Sequence, residues 1–390
     1  MRTKPYDIIR IPDYFVRMVL LLLAALLSLS SVAQKLEIHH LDVGQGDATL
    51  FVTRDKDDAI SRTVLIDGGR YNSNGQAILD YLKEKHINKL DFVIASHYDA
   101  DHTGGLIRVL EFALNDDALT VDSVYDRGTV LYPKPQKSPA YKQVANQYGT
   151  KHQAATPGWK VKLYDDENDA FDITMLCLAV NGQILLSSGA TTNAVPAEMN
   201  TPDENDLSTA FVFKYGKFQY LTGGDIGGKN GQVAGTCDGP YGCKFLDIET
   251  QVVAVAGKVS AHKINHHGSR CSTNVNWANM PSAMVAFLSS GKHGTYKHPR
   301  QEVLTALDNS PALKKVYWTA SVNYYNRTLS AKMVLNVPDN FAIVLSVNKT
   351  NKDSKNEDKT INEKVIFYVG DDKYEEPAPP ASLAQSSAQD

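Results

Sequence analysis

The segment Ser96-His97-Tyr98-Asp99-Ala100-Asp101-His102-Thr103-Gly104-Gly105 places two imidazoles and two carboxylates within six residues. In a tight loop the alternate residues His97, Asp99 and Asp101 can turn the same way, while His102 points elsewhere. One loop of this kind can serve two divalent cations, as metal-assisted hydrolysis requires. A polar surface loop would explain the segment alone, but the chain supplies further donors. Leu221-Thr222-Gly223-Gly224-Asp225 puts a carboxylate just past a strand, where ligands gather in α/β folds. Lys263-Ile264-Asn265-His266-His267-Gly268-Ser269 pairs two histidines after a short apolar segment, and His298 follows in His293–Pro299. Six of the eleven histidines lie in these three clusters, so the clusters are informative jointly where each alone is weak.

Elements to position these groups are legible from periodicity. Leu36–His40, Ala48–Val52, Thr63–Ile66 and Phe92–Ala95 read as strands. Gly75–Lys85 and Gly105–Leu114 read as helices. Strands resume at Phe171–Val180, Gln183–Leu186, Ala210–Tyr215 and Gln219–Leu221, and Phe341–Val347 can pair with Val365–Val369. Alternation of this kind predicts a layered α/β domain over residues 34–370. Residues 115–170 are polar and irregular apart from a helix near Ala140–Tyr148, and are expected to form an insertion near the site mouth. The last stretch, 371–390, has little to bury and is expected to be a disordered tail.

The chain has 390 residues, is 43% hydrophobic and 22% charged, and carries a net charge of −4. That balance excludes a collagen, a coiled coil, a disordered chain and a multi-span membrane protein, and gives no broad basic face for bulk nucleic-acid binding. Arg2, Lys4, Arg10 and Arg17 precede an apolar run from Met18 to Leu29 that ends in Ser31-Val32-Ala33. This is the pattern of a secretory signal peptide over residues 1–33, cleaved near Ala33, which predicts a secreted or periplasmic protein with no stable membrane insertion after cleavage. The run is shorter than the ~20 residues that span a bilayer. Losing four basic and two acidic side chains takes the net charge from −4 to −6. Export permits disulfides; Cys237 and Cys243 flank a turn-rich stretch that allows a local bridge, and Cys177 reads as a buried strand residue.

The strings Leu41-Asp42-Val43-Gly44-Gln45-Gly46-Asp47-Ala48, Ile66-Asp67-Gly68-Gly69, the His97–Gly105 loop, Thr222–Asp225, His266–Ser269 and His298-Pro299 occur in a telling order. The chain resembles the metallo-β-lactamase-fold hydrolases, in the branch represented by the extracellular domain of the competence protein ComEC, and is similar to the bacterial phosphorylcholine esterases. The resemblance covers roughly Leu36 to Leu307. It implies an αββα sandwich with a two-metal site along one edge of the sheets. By this resemblance His97 and Asp99 look like ligands of a first metal and Asp101 and His102 of a second, with Asp225 bridging. One of His266 and His267 would complete the first metal, with His267 favoured and His266 facing a phosphate; His298 would complete the second. Asp67 is similar to the family's carboxylate that orients a ligand histidine. Asp47 does related work, as a ligand or behind one, or is simply a turn residue. Asp99 stands where β-lactam-cleaving members carry histidine, which argues against that activity and suits Mn²⁺ as well as Zn²⁺.

The expected function is an exported hydrolase that uses water activated by two divalent metal ions, with Asp101 able to accept or return a proton. Its substrate would be a phosphodiester, DNA among them or one of the cell envelope, and it would need no organic cofactor. Lys263, Arg270 and Lys292 are candidates to neutralise a phosphate. The alternatives are a hydrolase of a lactone or thioester, and a secreted binding protein with a structural metal site. His39, His40, His86, His152, His262 and His293 have no matched role.

Overall fold

The structure, a computed structural model, describes residues 35–319 except 56, 135, 165–171, 229–245 and 292–295, together with four strands beyond residue 319. The expected signal segment, the Cys237–Cys243 pair, Lys292 and His293 lie outside the described residues. Strands β1 (Lys35–Leu41), β2 (Thr49–Arg54) and β3 (Ile60–Ile66) pair antiparallel in sequence order. Helix α1 (Asn72–Glu84) then leads to β4 (Lys89–Ile94), α2 (Ala100–Asn115) to β5 (Thr120–Asp126), and α3 (Pro139–Asn146) to β6 (His152–Ala154). These later strands pair in parallel, which requires crossovers long enough to hold the helices.

The second sheet begins with β7 (Lys160–Tyr164), β8 (Ile173–Val180), β9 (Gln183–Leu185) and β10 (Thr191–Asn193). The antiparallel pair β11 (Ala210–Tyr215) and β12 (Phe218–Thr222) follows, with β11 against β8. Helix α4 (Glu249–Ala256) leads to β13 (Ala261–Lys263), α5 (Val275–Ala278) to β14 (Val285–Leu288), and α6 (Gln301–Asp308) to β15 (Lys315–Trp318). From β12 the sheet runs in parallel through β13, β14 and β15 to β16 (Val334–Asn336). The chain then returns to the first sheet. There β17 (Ala342–Asn348) lies antiparallel to β1, β18 (Lys364–Tyr368) parallel to β17, and β19 (Lys373–Glu375) antiparallel to β18.

Alternation along the strands sorts the side chains into layers. Phe51, Val64 and Ile66 join Ile173, Phe211, Phe213 and Phe287 in the core between the sheets. Leu50, Val52 and Leu65 face the other way, under Ile78, Leu82, Leu106 and Val109 of α1 and α2. The second sheet is covered in the same manner, by Val252 and Trp277 and by Val303 and Leu307. Phe51 and Phe213 stack across the sandwich with centroids 3.7 Å apart. The result is the expected αββα arrangement.

Two expectations change. Residues 115–170 supply β5, α3 and β6 beside the first sheet and β7 in the second, so most of this segment belongs to the sandwich. Its polar composition hid short strands that bury only part of one face, as in the exposed and half-buried pattern of β7. Lys373–Glu375, inside the expected tail, forms β19 because the edge of β18 offers it a hydrogen-bonding partner. The rest of that tail lies outside the described residues. Among the described residues no helix is long and apolar enough to cross a membrane.

Candidate metal centre

Each group singled out by spacing sits where a parallel strand or its neighbour ends. Asp47 lies on the loop between β1 and β2, Asp67 follows β3, and His97–His102 joins β4 to α2. Asp225 follows β12, His266 and His267 follow β13, and His298 lies between β14 and α6. Carboxyl ends of parallel strands open a crevice in α/β sheets. Here two sheets contribute to the same crevice. The loop after β3 must press against the start of α2, and a Cβ at Gly105 would collide with the Gly68 carbonyl. The doubled glycines of Asp67–Gly69 and Gly104–Gly105 therefore serve close backbone packing beneath the site.

Asp225 stands at the centre. Its Oδ2 lies 3.2 Å from His102 Nε2, 3.4 Å from His267 Nε2 and 3.7 Å from His266 Nε2. His267 Nε2 is also 3.6 Å from Asp101 Oδ2, and His97 Nε2 is 3.8 Å from Asp99 Oδ2. The His97 and His102 rings are 4.1 Å apart, and the His266 and His298 rings 5.6 Å. Asp47, His102, Asp225 and His267 each offer one ligand atom within 4.8 Å of the others. Nε2 of His97, His102 and His267, Oδ1 of Asp225 and Nδ1 of His298 are buried without a hydrogen-bond partner among the described residues. An unpartnered buried polar atom costs about 1–3 kcal/mol, and coordination of a cation relieves that cost. The donor set fits a divalent cation.

The groups behind these donors are fixed. Asp67 Oδ2 accepts from His102 Nδ1 at 2.8 Å and from Ser96 Oγ at 2.7 Å, and its Oδ1 accepts from Ser96 N at 2.7 Å. Holding Nδ1 in this way leaves Nε2 to face Asp225. His267 Nδ1 lies 3.0 Å from the Ser289 carbonyl, which does the same for the second ring. Asp67, His266, His267 and Lys297 all adopt left-handed backbone, with φ of 61, 49, 53 and 54°. Such conformations are costly for residues with side chains and persist where surrounding structure enforces them. Gly224 is also left-handed (φ 55°), and a Cβ there would press on Ser96, so the second glycine before Asp225 lets the two ligand loops meet.

A short segment after β10 ties the loops together. Glu204 Oε1 accepts from the Tyr98 backbone N–H at 2.9 Å, between His97 and Asp99. Thr209 N donates to the Ser96 carbonyl at 2.9 Å, and Ser208 Oγ accepts from Asp225 N at 3.2 Å. Arg127, from the end of β5, holds Glu204 through a fork of 2.7 and 2.9 Å bonds and lies 4.4 Å over the Tyr98 ring. None of these residues carried a sequence signal, because isolated polar residues in a loop look alike until the fold brings them together.

Burial opposes charge throughout the cluster, and neighbouring charged groups set the direction of each shift. Burial would lower His267, but Asp225 and Asp47 outweigh it and lift its pKa to about 9. His102 is likewise raised well above its usual value by Asp225 and Asp67 against the effect of burial. Burial and then His102 push His97 down to about 4. Burial would raise Asp225, yet His102, His267 and His266 hold it well below the usual carboxylate range.

The expected ligand residues thus lie around one crevice. His267 shares a cluster of potential ligand atoms with His102, Asp225 and Asp47, and its Nε2 also lies 3.6 Å from Asp101 Oδ2. Asp99, on the wall of the crevice, forms an ion pair with Lys137, a residue spacing gave no reason to select. Lys263, expected to neutralise a phosphate, is buried and does not line the cleft: its Nζ contacts Asp47 Oδ2 and the Gly224 and Ile264 carbonyls. The crevice opens into a cleft of about 660 Å³ lined by cations including Arg70, Lys137, Arg270, Lys297 and Arg300. Asn205 also lines it. The unmatched histidines His39, His40 and His262 are buried and pair with Tyr81, Tyr220 and the Lys263 carbonyl. Cys177 is a free, buried thiol, as expected, and Cys271 is disulfide-bonded.

The model of the metallo-beta-lactamase superfamily matches residues 41–113, the stretch that carries Asp47, Asp67 and the His97–His102 loop. With the four-layer architecture and the histidine–aspartate crevice, this makes the chain a metallo-β-lactamase-fold protein. Within that fold it is ComEC-like. It is 26% identical over 275 residues to Recombination protein 2 of Haemophilus influenzae, covering 70% of this chain and 26% of that protein. It is 25% identical over 286 residues to ComE operon protein 3 of Bacillus subtilis, covering 70% and 30% respectively. The chain therefore spans less than a third of the length of either relative. Among solved structures it is similar to the metallo-beta-lactamase fold protein YhfI from Bacillus subtilis, at 12% identity and a TM-score of 0.40, over 74% of this chain and 96% of that one.

Proposed function

We propose that this metallo-β-lactamase-fold hydrolase is an exported phosphodiesterase that works with two divalent metal ions, Zn²⁺ or Mn²⁺. One observation carries the reading. Unpartnered, buried nitrogen and oxygen donors from His97, His102, Asp225, His267 and His298 converge from loops of both sheets at the base of a cleft whose walls are cationic. Divalent ions in such a site supply Lewis-acid chemistry, activating water near neutral pH and stabilising charge on substrate oxygens. Asp101, His102, Asp225 and His267 would hold one ion, and His97, Asp99 and Asp225 the other. His266 and His298 complete the wall on which a phosphate would rest, and Arg270 and Lys297 offer it positive charge. Burial would raise the Asp101 carboxyl, but His102 and His267 hold it below its usual range, as suits an anionic ligand of a divalent ion. The pattern of residues 1–33 supports export to the periplasm or beyond.

The test is turnover of bis(p-nitrophenyl) phosphate and of single-stranded DNA by the purified chain with added Zn²⁺ or Mn²⁺, lost in Asp101→Ala. Hydrolysis of lactones or thioesters with no phosphodiester turnover would overturn the substrate class. Metal bound with no hydrolysis of any panel would overturn the enzymatic reading.

A further inference from the structure

Lys263 and Asp47 form an ion pair directly behind the ligand cluster. Both side chains are 2% exposed, and Lys263 Nζ lies 2.6 Å from Asp47 Oδ2. The same ammonium donates to the Gly224 carbonyl at 3.0 Å and to the Ile264 carbonyl at 3.2 Å. The ammonium thus donates to two carbonyls and makes an ion-pair contact with the Asp47 carboxylate, whose oxygens have no hydrogen-bond partner among the described residues. These three contacts belong to three separate loops. Gly224 precedes Asp225, Ile264 lies two and three residues before the paired histidines, and Asp47 carries the N–H that bonds the Asp101 carbonyl at 3.1 Å.

Asp47 faces His102 and His267 from the edge that does not face Asp225. Its oxygens approach the Nδ1 atom of each ring, both at 3.8 Å, and those nitrogens have nearer partners in Asp67 and the Ser289 carbonyl. The Nε2 atoms, which lack partners, turn to Asp225. Asp47 is therefore nearest to Lys263 and sits on the opposite ring edge from the two Nε2 atoms, while its own oxygens are equally buried and without a hydrogen-bond partner among the described residues.

We propose that Lys263 is a built-in counter-cation of the site. It neutralises Asp47, keeps that carboxylate from serving as a metal ligand, and draws the Asp101, Asp225 and His266–His267 loops together before any ion arrives. Lys263 is thus a positioning residue, and the proposal rests on reading the cluster as a metal centre. Removing one partner of a buried pair leaves an uncompensated charge, whereas removing both need not. An unpaired Lys263 beside the cluster repels a divalent cation.

The experiment is a double-mutant cycle on the full chain, read by titration of the metal-free protein with Zn²⁺ and, in parallel, Mn²⁺. Asp47→Asn is expected to weaken binding about 10–100-fold, the usual range for groups behind metal ligands. Adding Lys263→Met to Asp47→Asn is expected to return the affinity to near the wild-type value. Urea unfolding in EDTA gives a metal-independent readout, in which Lys263→Met lowers the midpoint and Asp47→Asn in the same chain regains most of the loss. Because Asp47→Asn keeps the shape of the side chain, the titration remains decisive if Lys263→Met alone does not fold. A double variant as weak as Asp47→Asn would make Asp47 itself a ligand and overturn the proposal, as would an Asp47→Asn protein with unchanged affinity. Wild-type protein that binds neither ion would instead overturn the metal-centre reading, and the unfolding cycle would then report the pair alone.

Discussion

Single side chains decide whether this site can be charged and ready. Asp67 has no contact with the cleft, yet through two oxygens it fixes Ser96 and the Nδ1 atom of His102. Asp67→Asn keeps the volume but cannot accept from both sides, so Zn²⁺ affinity should fall by about 10–100-fold with little change in fold. Isothermal titration checks this, and an unchanged affinity would remove Asp67 from the site. A second residue governs pH response away from the centre. Burial would raise Glu37, but His39 and Arg54 outweigh it and bring its pKa from 4.5 to about 2. A carboxylate depressed on folding stabilises above its unfolded pKa and loses that contribution as pH falls through the folded one. Glu37→Gln should therefore cost about 2–3 kcal/mol at pH 7, with the gap to wild type closing between pH 4.5 and 2. Urea unfolding across that range tests it, and a gap that stayed constant with pH would refute it.

At the scale of elements, the bridge from Glu204 to Thr209 is what turns separate loops into one site. Arg127→Met would leave the buried Glu204 without its counter-charge, at a cost of about 3–5 kcal/mol in urea unfolding, and Arg127→Lys should not rescue it because an ammonium lacks the fork. A loss below 1 kcal/mol would show that the bridge is dispensable. This element also marks where sequence reading stopped. The His97–His102 loop, Asp225 and the paired histidines were legible because rare, chemically suited residues recur at strand ends. Strands such as β2 and β8 were legible because their apolar runs have the right length. Glu204, Ser208, Arg127 and Lys137 were not, since their roles exist only after loops far apart in the chain meet. Lys263 was legible as a cation near the site but not as a buried one. Its direction depends on β13 being an interior strand with both neighbours parallel.

For the molecule as a whole, the αββα layering followed from the alternation of apolar strands with helices and from the family resemblance. The length of each sheet did not, because short strands such as β6, β10 and β19 pair only by virtue of an edge already built. A cation bound between the sheets should stabilise the entire sandwich. By mass action, Zn²⁺ at a hundredfold excess over its dissociation constant adds about 2.7 kcal/mol, so EDTA should lower the melting temperature by a few degrees and added metal should restore it. A melting curve indifferent to both would place no ion in the seam. That seam has a further consequence. One leaf brings Asp67 and the His97 loop, the other Asp225, His267 and His298, so a chain with only one leaf formed holds half the cage and is chemically silent. On the proposed reading, hydrolysis would thus serve as a clock for the last act of folding: no turnover before the two leaves close, and turnover with metal present only after they do.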